Sequence, residues 1–183
     1  MTLKLLVVVF LVQLSWSISS QPSFSLVPSA KADFTSFSAL PFPGGGMSAL
    51  DFNNDGWDDI TLTTWQGDGV HFYENHFGSF TEVSPISTSH YGQYYSVWID
   101  FDNDGSKELF IVSESGGMQV FSQNVSGTYV EITSLIGLSG LGGVVRRGGV
   151  FGDFNNDGLL DFYLCAYSST HQNTMFFQDT NNV

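Results

Sequence analysis

The stretch "DFNNDGWDD" at residues 51–59 places four carboxylates within nine residues. Two stretches of the same pattern follow it, "DFDNDGSKE" at 100–108 and "DFNNDGLLD" at 153–161. Successive copies start 49 and 53 residues apart. A nearly constant period of this length is typical of proteins built from repeated structural units. The acidic stretches therefore predict a repeat architecture.

A second segment repeats in step with the acidic stretches. The sequence "YENHFGSFTEV" at 73–83 matches "SQNVSGTYVEI" at 122–132, again with an offset of 49 residues, and "MFFQDTNNV" at 175–183 begins the same segment a third time. Short runs rich in Val, Ile, Phe, Tyr and Thr flank each acidic stretch, which is the composition of β-strands. No segment keeps a helical period.

Four short antiparallel strands in about 50 residues correspond to one blade of a β-propeller. We therefore predict an all-β chain that forms a partial β-propeller of about three four-stranded antiparallel blades, with the third blade incomplete. The predicted segments are a signal peptide at 1–20, an N-terminal strand or linker at 21–45, blade one at 46–95, blade two at 96–147 and a truncated blade three at 148–183. Because propellers typically have 4 to 8 blades, we expect the remaining blades to come from the same longer chain, or the ring to close by association.

The composition restricts the partners and the location of the protein. Five Lys and Arg stand against 18 Asp and Glu, for a formal net charge of −13. Nucleic acid is therefore not expected as a partner, because phosphate binding needs a basic surface. Lys4, the apolar run that follows it and the serines before Gln21 are typical of a cleaved signal peptide. That run is well short of the ~20 residues that a membrane-spanning helix needs. We expect a secreted or cell-surface protein without a membrane span.

The acidic stretches share the pattern D-x-[DN]-x-D-G-x-x-[DE]. Side-chain oxygens at positions 1, 3, 5 and 9 can converge if the chain curls tightly, and the glycine at position 6 permits that curl. Position 7 can add its backbone carbonyl. Hard oxygen ligands in this number favour Ca²⁺ over Mg²⁺, and Zn²⁺ would need His or Cys, which the loops lack. The alternative is a polar turn whose Asp and Asn side chains bond to their own backbone.

The helical EF-hand shares the first half of this pattern but also requires a glutamate at position 12. Position 12 holds an apolar residue in all three copies, namely Leu62, Ile111 and Leu164. These residues lie in the runs that we predict to be strands. The sequence therefore predicts a cation site between two strands, with position 9 closing the site where the second strand begins.

The acidic loop between two apolar strands, repeated at about 50 residues, resembles FG-GAP/VCBS repeats, which form the calcium-binding β-propeller of integrin α-subunits. The tail N-x-x-G-[ST]-[FY]-x-E-[VI] is similar, more narrowly, to repeats of ASPIC/UnbV proteins and of the cartilage acidic protein group. The resemblance covers residues 46–183 and implies up to three calcium ions, one per loop. The ligands that it implies are Asp51, Asn53, Asp55, Trp57 (by its carbonyl) and Asp59 in loop one; Asp100, Asp102, Asp104, Ser106 (carbonyl) and Glu108 in loop two; and Asp153, Asn155, Asp157, Leu159 (carbonyl) and Asp161 in loop three.

Loop two departs from the family pattern, because Glu108 is longer than the usual aspartate and Lys107 lies beside it. Cys165 is the single cysteine, so no internal disulfide can form, and we expect it to be a small buried strand residue. Arg146 and Arg147 are the only adjacent basic pair, and we expect them in a solvated turn between blades.

The sequence shows no catalytic arrangement. The four histidines have neither metal-binding nor triad spacing, and no G-x-S-x-G motif is present. We therefore expect a binding, adhesion or scaffold module rather than an enzyme, with an unknown protein or glycan partner. Two alternatives stay open. The propeller could be the non-catalytic part of a larger secreted enzyme, or it could bind carbohydrate through aromatic residues such as Trp65, although tryptophans more often pack between blades.

Overall fold

The chain is all-β in its computed structural model, which describes residues 45–64, 69–88, 92–114, 117–142, 144–167 and 171–179. Within these residues there are eleven strands and no helix, and so no helix long and apolar enough to cross a membrane. The predicted signal peptide lies outside the described residues, as does the predicted N-terminal strand or linker except for its last residue. The predicted fold class is confirmed.

The strands form three antiparallel sheets in which neighbours in sequence pair with each other. The first sheet contains β1 (Met47–Leu50), β2 (Asp59–Thr63), β3 (Val70–His76) and β4 (Ser79–Val83). The second contains β5 (Gln93–Ile99), β6 (Glu108–Ser113), β7 (Gly117–Gln123) and β8 (Tyr129–Glu131). The third contains β9 (Arg146–Gly152), β10 (Asp161–Ala166) and β11 (Thr174–Phe176), so it has three strands within the described residues.

Each acidic loop joins the first strand of a sheet to the second. Position 9 of the loop is the first residue of that second strand in all three cases, at Asp59, Glu108 and Asp161. The prediction that position 9 lies where the second strand begins is therefore confirmed. The first strands of the second and third sheets begin at Gln93 and Arg146, slightly before the blade starts that the sequence suggested.

The second sheet is packed on both faces, and β6 runs through its centre. Because side chains alternate between the two faces of a strand, Leu109 and Ile111 face the first sheet, where they pack in a cluster with Trp98. Phe110 and Val112 face the third sheet and join a second cluster there. All six residues of β6 are buried, which explains why its sequence is an unbroken apolar run after Glu108. The three sheets are therefore stacked in series, as the blades of a propeller are.

The expectation that Cys165 is buried is wrong. The alternation along β10 turns Phe162 and Leu164 towards the second sheet and places Cys165 on the opposite face. No further sheet packs on that face within the described residues, and the thiol is exposed. The strand was predicted correctly, but the exposure of its outer face depends on whether another sheet packs against that face.

The expectation for the arginine pair is also wrong. Arg146 and Arg147 begin β9 rather than lying in a turn. The Arg146 side chain is buried, and its Nη1 donates a hydrogen bond to Thr174 Oγ1 at 3.3 Å. The Arg147 guanidinium stacks over the rings of Tyr94 and Tyr167, at 4.9 and 4.1 Å from their centroids. Strand alternation sends these neighbours to different environments, which sequence adjacency alone does not reveal.

Candidate metal centres

The three acidic loops share one backbone conformation. The glycine at position 6 has a φ of +93° at Gly56, +92° at Gly105 and +88° at Gly158. Two residues earlier, the asparagine at position 4 has a φ of +60° at Asn54, +60° at Asn103 and +61° at Asn156. Glycine and asparagine are the residues that tolerate this left-handed region best. These two bends give each loop its tight curl.

Hydrogen bonds within each loop fix the curl. The carboxylate at position 1 accepts the N–H of the position 6 glycine: Gly56 to Asp51 at 2.8 Å, Gly105 to Asp100 at 3.1 Å and Gly158 to Asp153 at 3.0 Å. The carboxylate at position 5 accepts the N–H of position 7: Trp57 to Asp55 at 2.9 Å, Ser106 to Asp104 at 2.7 Å and Leu159 to Asp157 at 2.8 Å. The polar-turn interpretation is thus correct for the backbone. It does not exclude a cation, because an ionised carboxylate has about four acceptor sites.

The acid at position 9 is the buried part of each loop. Asp59, Glu108 and Asp161 are each 0% exposed, whereas the acids at positions 3 and 5 are exposed. In loop three, Asp161 accepts the N–H of Phe154 at 2.9 Å and the N–H of Gln178 at 3.0 Å, one on each oxygen. Asp59 accepts the equivalent two hydrogen bonds in loop one, from the N–H of Phe52 at 3.1 Å and from the N–H of Asn75 at 2.9 Å. Position 9 therefore connects the loop to the third strand of its own sheet in loop one, and to the residues just after that strand in loop three.

Loop two differs because its closing acid is a glutamate. Glu108 Oε2 accepts the Phe101 N–H at a longer 3.3 Å, and Oε1 accepts a hydrogen bond from the Ser122 hydroxyl at 3.1 Å. The longer side chain replaces the backbone donor of the third strand with a hydroxyl. That donor can reorient, so the buried carboxylate of loop two is less firmly held than Asp59 or Asp161.

Three carboxylates converge in loop two. One carboxylate oxygen each of Asp100, Asp102 and Glu108 lie within 4.8 Å of one another, and among the described residues no other group of three His, Cys, Asp or Glu side chains meets this condition. Asp100 Oδ1 is a buried oxygen without a hydrogen-bond partner. Buried polar atoms are nearly always paired, so the unpaired oxygen of Asp100 is a group that a cation could satisfy.

The electrostatics of loop two agree with this geometry. Burial, followed by repulsion from Asp102, raises the pKa of Glu108 from 4.5 to about 7. Burial, followed by repulsion from Asp104, raises the pKa of Asp102. Both shifts mean that the metal-free loop resists the fully ionised state. A bound cation would remove that resistance by supplying the missing positive charge.

Loops one and three relieve the same crowding with an amide. Position 3 is Asn53 in loop one, and its Nδ2 donates to Asp55 Oδ2 at 3.3 Å. In loop three, Asn155 Nδ2 donates to Asp157 Oδ2 at 2.8 Å. Burial still raises the pKa of Asp59, with Asp55 and Asp51 adding smaller repulsions. At the predicted ligand positions, loops one and three thus each have three carboxylates against four in loop two, and they have more internal hydrogen bonds.

The structure brings together only some of the predicted ligands as a carboxylate cluster. Asp100, Asp102 and Glu108 converge, while Asp104 accepts the Ser106 N–H beside them. In loops one and three the predicted side chains are connected through hydrogen bonds to loop amides. The carbonyl roles of Trp57, Ser106 and Leu159 stay predictions.

Sequence reasoning missed several residues that shape these sites. The asparagine at position 4 was treated as variable, although Asn54, Asn103 and Asn156 share a position and a positive φ. The repetition of asparagine in all three copies was the available signal. The contribution of Ser122 had no such signal, because its hydroxyl reaches Glu108 only through the pairing of β6 with β7.

Comparison with known proteins agrees with the loop and sheet geometry. Residues 100–164 match the model of the FG-GAP-like repeat family. This segment runs from the first acid of loop two, through the second sheet and loop three, to Leu164 in β10. The match supports the FG-GAP family. No curated protein matches the chain. The FG-GAP-like repeat and its stacked antiparallel sheets indicate a propeller-like binding or scaffold module.

Proposed function

We propose that this FG-GAP-like repeat chain is a secreted binding or adhesion module whose blades are stabilised by calcium, with one ion in each acidic loop. The repeated sheets support the binding or scaffold role. The three loops of one conformation support the calcium sites. The leader-like N-terminal sequence supports secretion, because calcium is often abundant outside the cell.

One observation supports the calcium proposal most strongly, namely the convergence of Asp100, Asp102 and Glu108, together with the unpaired buried oxygen of Asp100. Three carboxylates that approach within 4.8 Å repel one another in the absence of a cation. All three groups offer carboxylate oxygens, which fit a hard divalent cation such as Ca²⁺ that takes 6 to 8 oxygen ligands. Zn²⁺ fits poorly because no His or Cys is part of the cluster.

In loop two, Asp100, Asp102, Asp104 and Glu108 would hold the ion, with Ser106 offering its carbonyl. A bound ion would supply positive charge to these carboxylates. The residues themselves provide the connection, since Asp100 follows β5, Glu108 begins β6, and Ser122 of β7 donates to Glu108. An ion held there would fix the relative positions of three strands of one sheet, and binding would add directly to folding stability.

Thermal melting in calcium, magnesium and EDTA tests this proposal. We expect millimolar calcium to raise the melting temperature, and magnesium to raise it less. Asp102→Asn should reduce the calcium response, because it removes one of the three converging carboxylates. Asp58→Asn is the matched control, because Asp58 is an exposed loop acid at a position that is not a predicted ligand. A melting temperature that is unchanged in millimolar calcium would refute the calcium role.

Carbohydrate binding is a second candidate for the partner, and one exposed aromatic pair favours it. Trp57 and Phe77 are 41% and 83% exposed, and their ring centroids are 5.0 Å apart. Exposed rings beside a calcium loop could stack on a sugar ring. Glycan-array binding that is lost in Phe77→Ser would support this candidate. Binding that survives the substitution would exclude these rings as the site, and a wild type that binds no glycan would argue for a protein partner. Trp65 lies outside the described residues.

A further inference from the structure

Two neighbouring sheets contain the same β-bulge at the same position of the repeat. In β5 the extra residue is Tyr94, which the pairing with β6 skips. In β9 the extra residue is Arg147, which the pairing with β10 skips. Tyr94 lies six residues before Asp100, and Arg147 lies six residues before Asp153, so the two residues are equivalent in the repeat. A bulge re-aims a side chain, and bulges are frequent beside functional sites.

The two bulged residues contact each other across the boundary between the second and third sheets. The Arg147 guanidinium lies over the Tyr94 ring, 4.9 Å from its centroid, and also over the Tyr167 ring at 4.1 Å. Tyr94 is 8% exposed, and its hydroxyl donates a hydrogen bond to Glu114 Oε2 at 2.9 Å, which fixes the ring. Two cation–π contacts therefore hold the guanidinium in one orientation. We call Arg147, Tyr94 and Tyr167 the arginine–tyrosine cluster.

The Arg147 guanidinium has no salt bridge to any described residue, because all the salt bridges there involve histidines. Stacking uses the flat surface of the group, whereas its five N–H donors point outward in its plane. Arg147 is also exposed. A planar donor group that is oriented in advance and open to solvent is suited to bind a planar anion, because little side-chain freedom is lost on binding.

The charge of the chain makes this unpaired cation informative. The sequence has 18 acidic residues and only five basic ones, so a cation on its surface has many potential partners. The two adjacent arginines at the start of β9 are nevertheless both without a salt bridge among the described residues. Arg146 is only 6% exposed, and a buried charge without a counter-ion is costly. An anionic ligand at Arg147 would supply the negative charge that this part of the sheet lacks.

A carboxylate of a protein partner fits the arginine–tyrosine cluster better than a nucleic acid does. A carboxylate accepts two parallel hydrogen bonds from a guanidinium. A chain of phosphates would need a basic surface, whereas the formal net charge of this chain is −13. Tyrosine and arginine are also among the residue types that most often dominate the binding energy of protein interfaces. The favoured ligand is therefore an aspartate or glutamate side chain of another protein.

We propose that the arginine–tyrosine cluster binds an acidic side chain of a protein partner, with the Arg147 guanidinium donating paired hydrogen bonds to its carboxylate. This inference gives the chemistry of the partner, so it rests on the binding role proposed above, but it does not rest on the calcium sites. Tyr94 is the second residue of β5, and loop two follows the last residue of that strand. The cluster and the acidic loop therefore lie at opposite ends of β5.

Selection of peptides from a random library tests the proposal. The library is selected on the wild type in EDTA, and each acidic residue of the tightest peptides is then replaced by its amide. We expect these peptides to contain an aspartate or glutamate whose replacement weakens binding at least about tenfold. Arg147→Gln should weaken binding of the original peptide to the same extent, and the two changes together should cost no more than either alone.

Two further variants separate a specific pair from a general effect of charge. Lys107→Gln removes the same charge at the loop two end of the sheet, and it should leave peptide binding unchanged. Arg147→Lys keeps the charge but loses the planar fork, so it should also weaken binding. Arg147→Lys takes the place of Arg147→Gln if melting curves show that the glutamine variant does not fold.

The outcomes separate the proposal from its alternatives. Peptide binding that Arg147→Gln leaves intact, or that Lys107→Gln weakens equally, would overturn the proposal. A library that yields no acid-dependent peptide would also overturn it, and glucuronate binding that depends on Arg147 would then assign the cluster to an acidic sugar. Melting temperatures in calcium judge the calcium sites separately, so a failure of that proposal is distinguishable from a failure of this one.

Discussion

Loop two and loop three of this chain share a backbone but distribute charge differently. Loop three closes on Asp161, whose two oxygens each accept a backbone N–H, and its position 3 amide donates to Asp157. Loop two closes on Glu108, has a third carboxylate at position 3, and leaves Asp100 Oδ1 unpaired. The same loop conformation can therefore have its carboxylates paired in two ways, by hydrogen-bond donors of the protein itself or by a bound cation. We expect loop two to depend most on calcium.

The largest expected effect is a pH dependence that arises from loop two. The pKa of Glu108 is raised by burial to about 7 in the folded metal-free protein, from 4.5. A raised pKa stabilises the fold below 4.5, and this contribution is lost as the pH rises through about 7. In EDTA, the unfolding free energy of the wild type relative to Glu108→Gln should therefore fall by up to about 3 kcal/mol between pH 5 and pH 8.

Urea unfolding at several pH values measures this difference. The glutamine of Glu108→Gln can still accept a hydrogen bond from the Phe101 N–H and donate one to the Ser122 hydroxyl, so the variant should fold. Asp161→Asn gives the loop three reference. A flat difference between the wild type and Glu108→Gln across this range would show that Glu108 is not strained in the metal-free protein, and would remove the electrostatic contrast between the loops.

The next effect belongs to loop three. Asp161→Asn replaces one of two acceptor oxygens with an amide, and leaves the N–H of Phe154 or of Gln178 without a partner. A buried donor left unpaired costs about 1–3 kcal/mol. We expect Asp161→Asn to lower the unfolding free energy by about 2 kcal/mol with or without calcium, measured by urea unfolding. Asp58→Asn, at an exposed loop position, should have little effect. A loss that appears only in calcium would mean that Asp161 acts only as a ligand.

A smaller effect, the cost of replacing the asparagine at position 4, should be equal in loops two and three. Asn103 and Asn156 have φ values of +60° and +61°, which an L-residue with a bulkier side chain adopts at a cost. Replacement by alanine should destabilise the protein by about 1 kcal/mol in either loop, whereas replacement by glycine should be nearly neutral. Thermal or urea unfolding of the four variants checks this prediction. A different cost in the two loops would show that their backbones are not equivalent, and would weaken the comparison itself.

Much of the fold was predictable from the sequence because the repeat fixes the order of the parts. Two features made the sheets predictable from the sequence. These are the apolar runs on either side of each loop and the position 9 acid at which β2, β6 and β10 begin. The pairing register was less predictable. The sequence aligns Asn75 with Asn124, but in the sheets Asn75 pairs with Phe80, and it is Gln123 that pairs with Tyr129. The turn of the second sheet is one residue longer, and a short sequence match does not reveal such a shift.

The acidic residues of the site were predictable as a group, whereas their individual environments were not. The pattern identified the loops, but it gave no sign that carboxylates converge most closely in loop two. That outcome depends on the reach of the Glu108 side chain and on the Ser122 hydroxyl from β7, which is a tertiary contact. In the same way, the exposure of Cys165 and the burial of Arg146 depend on which sheet faces each side of a strand.

The most direct test of the account is calorimetric titration of the chain with calcium, in parallel for the wild type and for Asp102→Asn. We expect saturable binding in the range of about 10⁻⁴–10⁻³ M, which is typical of extracellular sites. The Asp102→Asn variant should bind calcium more weakly at loop two and keep its binding at loops one and three. Titrations without heat or saturation up to several millimolar calcium, matched by unchanged melting temperatures, would contradict the claim that these loops are calcium sites.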